Sequence, residues 1–64
     1  MLVTVDNRPT ILPQKTSIAD VVLKHPDISR CIGVSLNGRI IARDKWEVTF
    51  LCDGDDIAIL RNKI

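Results

Sequence analysis

Val34-Ser35-Leu36-Asn37-Gly38-Arg39-Ile40-Ile41 is the stretch on which the fold turns. β-Rich segments flank Asn37-Gly38, and both turn residues tolerate the positive φ that a tight type I′ hairpin requires. The strand entering the turn reaches back to Cys31, and the returning strand runs from Arg39 to Ala42. Downstream, Arg43 to Glu47 mixes charges around the single tryptophan, Trp46, and reads as a short helical turn with Trp46 tucked inward. Val48-Thr49-Phe50-Leu51 then reads as a short strand, Asp53-Gly54-Asp55 as a turn, and Ile57 to Leu60 as a closing strand. That last strand is wholly apolar, which predicts burial on both faces and a central place in a sheet.

Upstream, Leu2 to Val5 is extended, Asp6-Asn7-Arg8-Pro9 is a turn cluster, and Thr10-Ile11-Leu12 resumes extended structure before Pro13. Together they predict an N-terminal hairpin. Thr16-Ser17 opens a helix. With Ser17 as the N-cap, Asp20 falls at the third helical position, an acidic variant of the capping box that also complements the helix dipole. Ile18, Val21, Val22 and His25 follow at helical spacing, while Asp20 and Lys24 face away. Pro26 disfavours the helical conformation at His25, so the helix should end near Lys24. So short a helix needs a sheet to lie against. The order of principal elements is β-β-α-β-β-β, with one helix covering one face of a mixed sheet. A right-handed crossover then sets the first and last strands side by side. This is an α+β β-grasp, or ubiquitin-like, architecture.

At 64 residues the chain predicts one domain spanning 1–64. A chain of this size buries only about 60% of the surface its unfolded form exposes, so each large apolar residue matters. It is 45% hydrophobic and 27% charged, a balance that folds rather than stays disordered. Nine basic and eight acidic residues leave a net charge of +1, with no basic stripe for phosphates. With Trp46 and Phe50 as the only aromatics, a base-stacking platform is also lacking, and no nucleic-acid partner is expected. Met1 to Asp6 has no basic segment before an apolar stretch, so it is not a signal peptide. No apolar run approaches the roughly 20 residues that span a bilayer. A cytoplasmic protein without a membrane partner, monomeric when free, is the expectation.

The reactive side chains are few. Asp53, Asp55 and Asp56 lack the spacing of a calcium loop, and a turn between strands explains them; no metal site is expected. His25 has no Cys or second His nearby and reads as a helix-terminating residue. Cys31 and Cys52 read as packed thiols, and only Cys31, after Arg30, has any claim to a lowered thiol pKa. One histidine is thin material for a catalytic triad, so the chain is not expected to be an enzyme or to hold a cofactor.

The series Leu36-Asn37-Gly38-x-Ile40-Ile41-x-Arg43-x-x-Trp46, then Asp53-Gly54-Asp55-x-Ile57-x-Ile59, resembles the ThiS family. These are small β-grasp sulfur carriers of thiamin biosynthesis, related to MoaD. The N-terminal hairpin and the Thr16-Ser17-Ile18-x-Asp20-Val21-Val22 helix start fit as well, so the resemblance covers the whole chain. It implies two partners: an E1-like adenylating enzyme of the ThiF type, which activates the C-terminal carboxylate for conversion to a thiocarboxylate, and a thiazole synthase of the ThiG type, which receives the sulfur. It also implies that the tail Arg61, Asn62, Lys63 and Ile64 enters the partner. The family's carriers end in Gly-Gly, and the diglycine is expected directly after Ile64, where this sequence stops. Either the tail is lost outside this sequence or in processing, or the chain is a carrier-like regulatory or fused domain without the chemistry. A TGS-type β-grasp binding module is a further reading, weakened by the missing basic patch.

Overall fold

A computed structural model describes residues 1–26 and 28–62. In chain order the strands are β1 (Leu2–Val5), β2 (Arg8–Ile11), β3 (Cys31–Leu36), β4 (Arg39–Ile41) and β5 (Asp56–Arg61), with helix α1 (Ile18–Lys24) after β2. Short 3₁₀ turns occupy Ile28–Arg30 and Arg43–Lys45. The sheet order is β2-β1-β5-β3-β4. β5 runs parallel to β1 and antiparallel to β3, so the first and last strands do lie side by side. The β-β-α-β-β-β order and the mixed β-grasp sheet stand as expected.

The turns explain the register. Asn37 and Gly38 both have positive φ, 52° and 84°, as a type I′ hairpin needs. The N-terminal hairpin uses the same device in a shorter turn than expected, closing two residues earlier: Asp6 and Asn7 carry φ of 52° and 64°. β2 therefore begins at Arg8 and contains Pro9, which the sequence reading had placed in the turn. Pro9 is tolerated because β2 is an edge strand and Pro9 faces Thr4 at a pair that needs no N–H from it.

The expected strand at Val48–Leu51 does not form. Phe50 makes a single antiparallel bridge to Ser17, flanked by Ile18 N–H to Thr49 O at 3.0 Å and Leu51 N–H to Thr16 O at 2.9 Å. The pairing cannot propagate, because its partner segment turns at once into α1.

α1 starts as its sequence requires. The Asp20 N–H donates to Ser17 Oγ at 3.2 Å, and the Ser17 N–H donates back to Asp20 Oδ2 at 3.0 Å. It ends at His25, which is extended and donates its N–H to Val22 O. Its buried face, Ile18, Val21 and Val22, packs with Val3, Val34, Ile57, Ile59, Trp46 and Leu51. Trp46 lies inward as expected, with its indole N–H donated to Ile41 O at 2.9 Å. β5 is central, yet only one of its faces is buried: Ile57 and Ile59 face the helix, while Ala58 and Leu60 are half-buried on the other side. The expectation of burial on both faces fails because one short helix covers one face only.

Candidate functional site

The tail leaves the sheet at the end of its central strand, and its root is held from both sides. Arg61, the last residue of β5, lies opposite Cys31 on β3. Asn62 then donates its N–H to Arg30 O at 2.9 Å. On the β1 side the backbone ladder ends early, because β1 turns away at Asp6. Asp6 donates its own N–H to Ile57 O at 2.9 Å, and its Oδ1 accepts the Ile59 N–H at 3.0 Å. A side chain thus supplies the rung that the strand no longer can. The other carboxylate oxygen, Oδ2, meets the Arg61 guanidinium and, at 3.0 Å, His25 Nε2. Among the described residues the ion pairs converge on this one carboxylate.

Asp6 is partly buried, which pushes its carboxyl upward. The Ile59 N–H, the His25 hydrogen bond and the Arg61 and His25 charges outweigh that cost and hold it below the ordinary carboxylate range. A cleft of about 520 Å³ opens beside the junction, lined among others by Asp6, Arg8, Thr10, His25 and Arg61.

Of the tail residues expected to enter a partner, Arg61 and Asn62 are exposed at this junction; Lys63 and Ile64 lie outside the described residues. Sequence reading missed Asp6 and took His25 only as a helix terminator. The backbone of His25 does terminate the helix, but its ring crosses to Asp6, a contact set by the β1–β5 pairing rather than by any local motif.

The aspartates near Gly54 are spent on the turn. Asp53 Oδ1 accepts the Leu2 N–H, Asp55 Oδ2 accepts the Cys52 N–H at 2.7 Å, and Asp56 Oδ1 accepts the Thr4 hydroxyl at 2.7 Å. Asn37 ties the two turns together, giving its amide to Asp55 Oδ1 and accepting the Asp56 N–H. No group of three or more His, Cys, Asp or Glu among the described residues could hold a metal ion. Cys31 is half-buried against the core, but Cys52 is exposed, contrary to the expectation of a packed thiol, because it sits in the loop ahead of the Gly54 turn.

The side of the sheet opposite α1 is open. Alternation along the strands puts Ile40, Ala58, Leu60, Leu2 and Ile11 there, and Ile40 and Ile11 are 67% and 77% exposed. Leu60 lies across Gly33, the residue facing it on β3, where a Cβ would meet Leu60 Cδ1 at 3.3 Å. No helix among the described residues is long and apolar enough to cross a membrane.

A central last strand whose end reaches the surface, beside an open apolar sheet face, defines a ubiquitin-like β-grasp module. The chain is similar over its full length to the crystal structure of a thiamine biosynthesis protein (ThiS) from Geobacter metallireducens, at 24% identity, with a TM-score of 0.82 and coverage of 97% of that chain. No curated protein matches it significantly. The ThiS family matches residues 3–61, and the chain belongs to that family.

Proposed function

We propose that this protein is a sulfur carrier of thiamin (thiazole) biosynthesis, a binding module rather than a catalyst. The family match over residues 3–61 carries the reading. The emergence of Arg61 and Asn62 from the central strand supports it, since a tail on that strand leaves the body of the domain directly. The partners are an E1-like adenylating enzyme of the ThiF type and a thiazole synthase of the ThiG type. Each grips the open sheet face and receives the tail Arg61, Asn62, Lys63 and Ile64. A terminal carboxylate that attacks a nucleotide's α-phosphate must approach without a side chain in the way, which is what glycine provides. Ile64 carries branched bulk at Cβ with a stiff χ1. Two further residues would also add about 7 Å of extended reach.

Mass spectrometry tests the reading. Incubated with the adenylating enzyme, ATP and a sulfur donor, the polypeptide bearing Gly-Gly after Ile64 gains about 16 Da at its terminus, the exchange of one carboxyl oxygen for sulfur. The polypeptide ending at Ile64 binds the enzyme but is converted poorly or not at all. Equal conversion of both forms overturns the role given to the glycines. Failure of both enzymes to bind at tens to about a hundred micromolar (roughly −5.5 to −6 kcal/mol) replaces the carrier reading with that of a fused or regulatory domain.

A further inference from the structure

We infer that Asp6 is a positioning residue for the tail: its carboxylate fixes Arg61, and through Arg61 the direction in which the chain leaves β5 toward a partner. The part of this inference that concerns a partner rests on the carrier reading; the part that concerns the tail does not.

β1 and β5 are paired through Val5 and Ile57, and at Asp6 the β1 backbone turns back toward β2 with φ of 52°. The last part of β5, from Ile59 on, therefore has β3 on one side and, among the described residues, no strand on the other. A strand end paired on one side only frays readily. Asp6 fills the gap with its side chain, using Oδ1 for the Ile59 N–H and Oδ2 for the Arg61 guanidinium. His25, whose side chain is 10% exposed, reaches the same Oδ2 from the end of α1 and holds the carboxylate in place. On the β3 side the Asn62 N–H is fixed by Arg30 O. The first residues of the tail are thus ordered before any partner arrives.

Ordering a long side chain and its backbone in advance lowers the cost of binding. Losing that order in Asp6→Asn weakens partner affinity by about three- to tenfold. Asparagine suits the test. It tolerates the positive φ of the turn and still offers Oδ1 to Ile59, but its amide presents no charge or acceptor to Arg61.

The experiment has an arm without a partner and an arm with one. In ¹⁵N relaxation and amide hydrogen exchange, Asp6→Asn raises the mobility and exchange of the Arg61 and Asn62 amides while the β5 amides from Ile57 to Ile59 keep their protection. Arg61→Gln, which leaves the turn and Asp6 untouched, has the same effect on Asn62 and serves if the Asp6 variant does not fold. Unchanged Asn62 dynamics in both variants overturns the inference. In titrations of the adenylating enzyme, Asp6→Asn weakens binding in the wild-type background and has no further effect in the Arg61→Gln background. A loss that persists there means Asp6 acts through general stability, which also overturns it. If the wild-type chain does not bind the enzyme, the carrier reading fails, and the dynamics alone decide the role of Asp6.

Discussion

Ser17 and Asp20 hold the start of α1 by reciprocal hydrogen bonds, which satisfy backbone donors that a helix of seven residues has little else to satisfy. Ser17→Ala should cost about 1 kcal/mol, within the range of about 0.5–2 kcal/mol for a lost N-cap, read from urea denaturation midpoints. A variant as stable as the parent would mean that packing alone holds the helix. Two carboxylates, Asp20 and Asp6, should make the fold sensitive to acid. The Asp20 carboxyl is held below its ordinary range first by the Ser17 N–H and then by the Ser17 hydroxyl. Burial raises Asp6, but the Ile59 N–H, His25 and Arg61 more than offset it. Both folded pKa values are depressed, so the unfolded chain binds more protons in acid and stability rises with pH there. The contribution is complete above the unfolded carboxylate value of about 3.9 and is lost as pH falls through the folded values. Denaturation midpoints should therefore drop below about pH 4, and the drop should shrink in Asp6→Asn. Midpoints that stay level across that range would remove both carboxylates from the account.

At the scale of elements, β5 carries the fold. Ile57 is fully buried and Ile59 is 4% exposed, and both pack against α1 from the centre of the sheet. Ile59→Ala should cost about 2–5 kcal/mol, a large share of the roughly 5–15 kcal/mol that a small domain possesses. Chemical denaturation showing less than about 1 kcal/mol lost would mean that the core lies elsewhere. Two elements were read correctly from local chemistry alone: the Asn37-Gly38 hairpin, whose residues demand positive φ, and α1, whose cap and stop are both written in its sequence. Val48 to Leu51 was misread as a strand, since β propensity states what a segment can do and not whether a partner is available. Phe50 finds only Ser17.

For the whole molecule the asymmetry of the sheet matters most. One face is closed by α1, and the other shows Ala58 and Leu60 on β5, the strand that leads to the tail, and Ile40 on the edge strand β4. An apolar face beside the end of the central strand is the kind of surface a protein partner can grip. Ile40→Ser removes an exposed side chain from an edge strand and should change stability by no more than about 0.5 kcal/mol. If this face docks, the same change should weaken binding to the adenylating enzyme by about tenfold, measured by titration. Unchanged affinity would move recognition off this face and onto the tail alone.

The sequence by itself determined what depends on neighbours in the chain: the turn at Asn37-Gly38, the capped helix, the apolar run that had to become a central strand, and the spacing of motifs that resembles the ThiS family. Tertiary structure alone decided the rest. Asp6, His25 and Arg61 are far apart in sequence and meet only because β1 pairs parallel to β5 and α1 ends above their junction. Which face of β5 stays open followed from the reach of a seven-residue helix. Such contacts arise from the packing of elements, and no periodicity or propensity within one element can encode a partner supplied by another.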